Sequence, residues 1–268
     1  MALKPPILII TGYGVNCEAE SAQAWKMAGA KPRMIHLHDL LERPALMNQF
    51  KALMFIGGFS FGDHMGSGQV LALRLRSRAK YEIMKFISRN SLIMGVCNGF
   101  QVMVKMGLLP GFDGNYLKRQ ITLTHNDCGV FQNFWVRLGF EPECKCVFTR
   151  GLKEMPLPIR HGEGKIMALD KKILNRIEKD HCVVCRYLDA QTGKPARRFP
   201  DNPNGSMNSI AGLCDPTGRV FGLMPHPEAY LFPENHPQWQ RQNLAGTLPK
   251  YGLGLQIFKN AVEYLNKS

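Results

Sequence analysis

The stretch Ser91-Leu-Ile-Met-Gly-Val-Cys97-Asn-Gly-Phe-Gln101 predicts a strand that turns directly into a helix at Cys97. Its apolar half is rich in β-forming residues and ends at Gly95, and a helical pattern begins after Gly99. Cys97 stands two residues from each glycine, the spacing of a nucleophile elbow in which a strand turns sharply into a helix. The turn would hold the thiol at a helix N-terminus, where the helix dipole favours thiolate. Taken alone, the pattern is equally typical of a buried structural cysteine.

The first half of the chain alternates strand and helix patterns around this turn. The predicted strands are Ile7–Ile10, Arg33–Leu37 and Ala52–Ile56, and the predicted helices are Cys17 to about Gly29, with Asn16 as its cap, and Gly68–Arg89. This alternation indicates βαβ units, and therefore an α/β fold with a parallel sheet and helices on both faces.

The second half of the chain has a different sequence pattern, with more short predicted strands and more turn residues. Its predicted strands are Gln120–Thr124, Phe134–Leu138, Cys144–Phe148, Cys182–Leu188, Ile210–Leu213 and Val220–Leu223. A helix is predicted over Lys171–Lys179, a loop over Pro200–Ser206, and an amphipathic helix near the C-terminus. Because no repeat or linker interrupts the pattern, we expect one domain over residues 1–268.

Composition narrows the classes of function. The chain has no apolar run long enough to cross a bilayer, so we expect no membrane partner. Eight cysteines in 268 residues are too sparse for a disulfide scaffold and favour free thiols in a reducing cytoplasm. The net charge of +13 raises the possibility of nucleic-acid binding. No recognition motif supports it, however, and the tightest basic cluster, Arg74 to Lys80, is more typical of a solvated helix surface.

A thiolate nucleophile needs a base, a group that orients the base, and donors for an oxyanion. His226 follows a predicted strand, and Glu228 can hold its far ring nitrogen. Gly57, Gly58 and Phe59 follow another strand, where backbone N–H groups can face a bound carbonyl together with the N–H of Asn98. Each pattern also has a simpler interpretation, namely a turn with an exposed histidine and a tight glycine loop.

Several other residues are candidates for a role at the site. Cys17 also stands between a strand and a helix, but it lacks flanking glycines, so we interpret it as a structural or site-adjacent thiol. Gln101, one turn beyond Cys97, is either a substrate contact or an ordinary solvated helix residue. His161 and Glu163 fit either an acid–base pair or a structured loop. Two short motifs hint at zinc but lie in strand-like runs, so no metal site is predicted: Cys144-x-Cys146 and His181-Cys182-x-x-Cys185.

Taken together, these motifs resemble the class I, or triad, glutamine amidotransferases. Further strings in the same order resemble the glutaminase subunits of phosphoribosylformylglycinamidine synthase: Asn16-Cys-Glu18, Gly57-Gly-Phe-Ser-Phe-Gly-Asp63, His161-Gly-Glu-Gly164, Asn202-Pro-Asn-Gly-Ser206 and Gly222-Leu-Met-Pro-His-Pro-Glu228. The resemblance covers about Ile7 to Tyr264.

This resemblance implies a flavodoxin-like fold, an open and mostly parallel sheet, and hydrolysis of L-glutamine by Cys97, His226 and Glu228. It also implies that ammonia passes to a separate synthetase subunit, with a small third subunit in many such systems. No nucleotide motif is seen here, so ATP and Mg are expected on the synthetase and no cofactor on this chain.

The sequence departs from the family pattern at four positions. Ile56 replaces a usual proline, Phe61 a common tyrosine, Cys128 a serine and Val130 an arginine. The last two changes remove a hydroxyl and a charge from a segment that the resemblance places near the glutamine site or the synthetase interface. We therefore expect them to alter glutamine affinity or contact with the synthetase. Two alternatives therefore stay open: another cysteine hydrolase of the same fold, such as a γ-glutamyl hydrolase or peptidase, and a non-catalytic regulatory homologue.

Overall fold

The apolar runs form the centre of a nine-stranded sheet in the computed structural model, which describes residues 4–267. The strands, in chain order, are β1 Pro6–Thr11, β2 Lys31–His36, β3 Ala52–Phe55, β4 Leu92–Val96, β5 Ile121–Thr124, β6 Gln132–Phe140, β7 Glu154–His161, β8 Lys165–Ala168, β9 Val183–Tyr187, β10 Ile210–Cys214 and β11 Val220–Leu223. The helices are α1 Glu18–Met27, α2 Leu37–Glu42, α3 Gln69–Arg78, α4 Lys80–Ser88, α5 Asn98–Met106, α6 Lys171–Lys179, α7 Trp239–Leu244 and α8 Leu255–Lys267.

The main sheet has the strand order β2-β1-β3-β4-β11-β10-β9-β6-β7, and β5 and β8 form a separate pair. The first five strands are parallel, with Leu223 of β11 beside Val96 of β4, and the remaining four add antiparallel pairings. The predicted α/β class with an open sheet is confirmed. Strand order reverses between β1 and β3, and open α/β sheets bind ligands beyond the strand ends at such a point.

The helices form two separate layers over the sheet. Helix α1 packs against α8, whereas α3 packs against α5, which itself lies on β3 and β4. Their apolar faces supply much of the core, including the fully buried Trp25, Phe86, Phe100 and Phe258. Within the described part of the chain, no helix is both long and apolar enough to span a membrane.

Two glycines allow α5 to lie directly on the sheet. A Cβ at Gly99 would overlap the carbonyl oxygen of Phe55, and one at Gly95 would overlap Met103 and the backbone of Gly99. Because the obstructing atoms are mostly backbone, they cannot move aside as a flexible side chain would. The glycines flanking Cys97 are therefore required by close packing of strand and helix.

Three helix and strand predictions need correction. Asn16 does not cap α1: the cap position is Cys17, whose thiol donates to Asn16 Oδ1 over 3.5 Å. The helix predicted over Gly68–Arg89 divides at Ala79, where φ is −121°, and each half buries its own apolar face. The segment Cys144–Phe148 is a loop ending in a 3-10 turn, because its backbone bonds locally and to Gly218 rather than to a neighbouring strand.

Strand β7 was not predicted, and its composition explains why. It contains Pro156 and Pro158, which cannot donate to a sheet ladder and normally argue against a strand. β7 is the last strand of the sheet, and among the described strands it pairs with β6 alone. An edge strand tolerates prolines because one side of its backbone needs no partner.

Replacing Gly99 with alanine should lower the free energy of unfolding by about 2–3 kcal/mol, the cost typical of forced overpacking. Urea unfolding of the full chain measures this value. Gly162→Ala is the matched control, because its added Cβ would have its nearest neighbour at 4.0 Å. The control should stay within about 0.5 kcal/mol of the parent. Equal effects in the two variants would contradict the packing argument.

Candidate active site

Cys97 occupies a strained turn between β4 and α5. Its φ and ψ are 50° and −110°, a conformation that a residue with a side chain seldom adopts. The Cys97 N–H donates to Leu223 O over 2.8 Å, which ties the turn to the end of β11. The thiol is 4% exposed and lies 3.4 Å from the carbonyl oxygen of Arg160. Strain of this kind, costing about 1–3 kcal/mol, is characteristic of nucleophile elbows.

His226 and Glu228 form a buried pair beside this turn. His226 Nδ1 lies 2.6 Å from Glu228 Oε1, and both residues are 2% exposed. Because a carboxylate only accepts, Nδ1 carries the proton and Nε2 is the basic nitrogen. Nε2 is buried and has no hydrogen-bond partner among the described residues. The prolines on either side and a bond from His226 N–H to Pro158 O hold the ring in place.

The electrostatics of the pair favour a protonated imidazole when a thiolate is present. Burial alone would lower the pKa of His226, but the negative charges of Glu228 and Cys97 outweigh it and raise that pKa well above its usual value. His226 is therefore suited to take the proton of the Cys97 thiol and keep it as an imidazolium.

The loop after β3 supplies candidate oxyanion donors. The N–H of Phe59 donates to Gly14 O over 2.8 Å, so this predicted donor is already engaged. The N–H groups of Gly57 and Gly58 remain as candidates from the loop, opposite the N–H of Asn98 at the start of α5. The Phe59 ring is 45% exposed and stands at the rim of the site.

The side chain of Asn98 joins this loop to the elbow. Its Oδ1 accepts from Ser60 N–H over 3.2 Å, and its Nδ2 donates to Asp63 Oδ1 over 3.1 Å and to Gln101 Oε1 over 3.0 Å. Gln101 in turn donates to the carbonyl oxygen of Glu163. Both polar ends of the Gln101 amide are thus engaged within the chain, which sequence alone could not reveal.

His161 lies at the end of β7 and belongs to a structural network. Its Nδ1 is 3.2 Å from Asn126 Oδ1, which also accepts from Gly164 N–H. Burial, followed by the charge of His226, lowers the pKa of His161 to about 3, so the ring is neutral. The Glu163 carboxylate accepts from Ser67 N–H instead of pairing with His161. The structured-loop interpretation fits, and the acid–base pair is wrong.

The Asn202–Ser206 loop forms a second buried hydrogen-bond network. Asn204 Nδ2 donates to the hydroxyl of Tyr187 over 3.1 Å, and Ser206 Oγ donates to Asn204 Oδ1 over 2.7 Å. Ser206 Oγ also accepts from Ile166 N–H over 3.0 Å. Because these groups are buried and bonded to one another, they hold the loop firmly against Ile166 of β8 and Tyr187 of β9.

Cys17 lies beside the pair without the features of a nucleophile. Its sulfur, a ring nitrogen of His226 and a Glu228 oxygen all lie within 4.8 Å of one another. Burial is the largest influence on its pKa, which it raises, so the thiol form is favoured. Both Cys17 Sγ and His226 Cε1 occupy the space next to Gly57, at 3.0 and 2.9 Å from where a Cβ would stand. The structure thus places Cys17 as a site-adjacent thiol.

The unusual residues Cys128 and Val130 lie at the rim. Cys128 is exposed, with its sulfur 3.5 Å from Val130 O, and the Val130 side chain is 59% exposed. The Phe131 ring next to them lies 6.1 Å from the Phe59 ring. These departures therefore change the surface around the site, while the buried groups at Cys97 are intact.

The remaining two departures are apolar replacements near the same loop. Ile56 is 2% exposed in the core at the end of β3. The Phe61 ring stacks on Tyr13 at 4.9 Å and lies under the guanidinium of Arg74 at 5.0 Å.

Comparison with known proteins places this geometry in a family. The family model described as "CobB/CobQ-like glutamine amidotransferase domain" matches residues 4–265. The chain belongs to this family.

Curated relatives match over nearly the whole chain. A protein of Methanococcus maripaludis named "Phosphoribosylformylglycinamidine synthase subunit PurQ" is 40% identical, with 98% of each chain covered. A protein of the same name from Dehalococcoides mccartyi is 39% identical over 97% of this chain and 98% of its own.

Solved structures agree on the fold. "Structure of PurLQS from Thermotoga maritima" contains a chain that is 29% identical, with a TM-score of 0.72, over 98% of this chain and 100% of that one. A glutamine amidotransferase from Thermotoga maritima, only 11% identical, shares the fold with a TM-score of 0.55.

His161 should make the protein sensitive to acid. Its folded pKa of about 3 lies below its unfolded value of 6.5, so stability is full above pH 6.5 and is lost as pH falls towards 3. Between about pH 7.5 and pH 5 this residue should account for a loss of about 2 kcal/mol in the free energy of unfolding. Urea unfolding at both pH values measures the loss.

His161→Gln should reduce that pH dependence by the same amount, whatever its stability at neutral pH. His38→Gln, at an exposed position, is the control and should keep the parental pH dependence. An unchanged slope in the His161 variant would show that the buried ring does not govern acid sensitivity.

Proposed function

We propose that this chain is the glutaminase subunit of phosphoribosylformylglycinamidine synthase and hydrolyses L-glutamine through a thioester on Cys97. The observation that carries the proposal is the buried Nε2 of His226, which has no hydrogen-bond partner within residues 4–267. Glu228 orients the ring, and the negative charges of Glu228 and Cys97 raise the pKa of His226. The family assignment and the names of the relatives supply the substrate and the partner enzyme.

The first chemical step is attack of the Cys97 thiolate on the side-chain amide carbon of glutamine. His226 holds the thiol proton, while the N–H groups of Gly57 or Gly58 and of Asn98 stabilise the tetrahedral oxyanion. The imidazolium then protonates the leaving nitrogen, and ammonia departs from a γ-glutamyl thioester. Water, activated by neutral His226, hydrolyses the thioester and releases glutamate.

The synthetase reaction is proposed to take place on another chain. Ammonia would pass to a synthetase subunit that holds ATP and Mg, and a small third subunit would complete the enzyme; no cofactor is needed for the steps on Cys97. The exposed rim residues Phe59, Val130 and Phe131 are suited to contact with that partner because they leave an apolar surface around the site. The free cysteines support a cytoplasmic location.

The two alternative functions are less well supported. A non-catalytic homologue is disfavoured because the buried residues Cys97, His226 and Glu228 are all present. In addition, Glu228 contacts His226, and the charges of Glu228 and Cys97 raise the pKa of His226. A free-standing hydrolase of the same fold would need no partner. Its glutamine turnover would therefore be unchanged when the synthetase is added.

Replacing Cys97 with alanine should abolish glutamine-dependent product formation in the complex with the synthetase while leaving ammonia-dependent formation intact. Removal of the nucleophile leaves at most a residual rate, a loss of at least about 10³-fold. Steady-state assays with each nitrogen donor measure both activities. Cys144→Ser, which removes a thiol outside the site, should keep both. Retained glutamine-dependent activity in Cys97→Ala would refute the mechanism.

Replacing Glu228 with glutamine should lower kcat for glutamine about 10²–10⁴-fold, because the amide no longer fixes the ring tautomer or stabilises the imidazolium. The KM should change much less, since Glu228 contacts His226 rather than substrate. The control is Glu263→Gln, which breaks an exposed pair with Lys267. A kcat within threefold of the parent would count against the assigned role.

A further inference from the structure

Five cysteines that no step of the reaction uses converge at one end of the antiparallel half of the sheet. They come from the loop after β6, the start of β9 and the end of β10: Cys144, Cys146, Cys182, Cys185 and Cys214. The N–H of Cys214 donates to the carbonyl oxygen of Cys182 over 2.9 Å, which sets these segments side by side. The register of β9 against β10 shifts between Cys185, which pairs with Gly212, and Val183, which pairs with Leu213, so strict alternation does not hold along this part of β9.

Two sulfurs of this cluster, those of Cys144 and Cys214, are in direct contact. The sulfurs of Cys144 and Cys214 are 3.4 Å apart, although 70 positions separate the residues in sequence. Cys144 is half-buried and accessible from solvent, whereas Cys214 is 1% exposed. An oxidant can therefore reach one sulfur of the pair, and the other lies directly behind it.

The cluster does not have the geometry of a metal centre. Four thiolates on zinc would stand about 3.8 Å from one another, since each Zn–S bond is about 2.3 Å. Within residues 4–267, no three of these sulfurs lie within 4.8 Å of one another. The arrangement favours one bond between two sulfurs over a shared ion.

We propose that Cys144 and Cys214 are a reactive dithiol, and that hydrogen peroxide converts them into an intramolecular disulfide. The Cys144 thiolate attacks one peroxide oxygen, the O–O bond breaks, and hydroxide leaves as a sulfenic acid forms on Cys144. The Cys214 sulfur then attacks the Cys144 sulfur, and the sulfenic hydroxyl leaves as water with the Cys214 proton. The two thiols lose two electrons, and one peroxide becomes two waters.

The pKa shifts of the two thiols agree with their exposure on which sulfur attacks the peroxide and which forms the disulfide. The hydrogen bond with the Cys214 thiol is the largest influence on Cys144 and lowers its pKa, whereas that bond, a second bond with Cys146 and burial raise the pKa of Cys214. Cys144 is thus the attacking sulfur and Cys214 the resolving one.

The disulfide would fasten the loop between β6 and β7 to the last residue of β10. β10 pairs with β11, the strand that leads to His226. The bond would leave Cys97 untouched, because the nucleophile lies in the turn after β4 on the parallel side of the sheet.

The test uses the full chain with Cys97→Ala, which removes the nucleophile and leaves seven of the eight thiols. After treatment with hydrogen peroxide, thiol titration of the unfolded protein should find five, and non-reducing peptide mapping should find a Cys144–Cys214 cross-link. Adding Cys144→Ser should abolish the cross-link. Cys128→Ser, at an exposed thiol, should leave it fully formed.

Several outcomes would overturn the proposal. These are a cross-link from Cys144 to Cys146 or Cys182 instead, retention of all seven thiols, or one tightly held zinc ion per purified chain that blocks oxidation. Because the cross-link is read directly by mass, no folding defect in a variant can imitate it.

Discussion

The strained backbone turn at Cys97 fixes how the sheet, helix α5 and the catalytic groups meet. Its positive φ persists because close packing surrounds it, with Gly95 and Gly99 allowing α5 to lie on β3 and β4. The sheet presents the ends of β3, β4 and β11 at one edge, so the thiol, the Gly57–Phe59 loop and His226 meet there. Strain at the nucleophile is offset by the apolar core beneath it.

Around this turn, buried polar groups hold one another in place. Asn98 links the loop after β3 to the elbow, and Gln101 links the elbow to Glu163. His161 and Asn126 hold the end of β7, where the carbonyl oxygen of Arg160 lies 3.4 Å from the Cys97 sulfur. Each group is positioned by a neighbour that is itself bonded, which is the preorganisation that acyl transfer needs.

Much of the fold could be predicted because its signals are local. The buried strand runs, Gly29 as a helix end and the elbow spacing depend on nearby residues, and the structure confirms them. The failures have non-local causes: β7 carries prolines that only an edge position tolerates, and Cys144–Phe148 bonds to Gly218. Likewise, Cys97, His226 and Glu228 could be found by type and spacing. The engagement of Phe59 N–H and Gln101 depends on distant partners that no pattern reveals.

Two thiols, those of Cys97 and Cys17, lie near His226, and we assign the nucleophile to Cys97. A decisive experiment treats the complex of this chain and the synthetase with a glutamine analogue that carries a chloroketone in place of the amide, and then maps the adduct by mass spectrometry. We expect one adduct, on Cys97, formed in step with the loss of glutamine-dependent activity and prevented by L-glutamine. An adduct on Cys17, or loss of activity without labelling of Cys97, would contradict it.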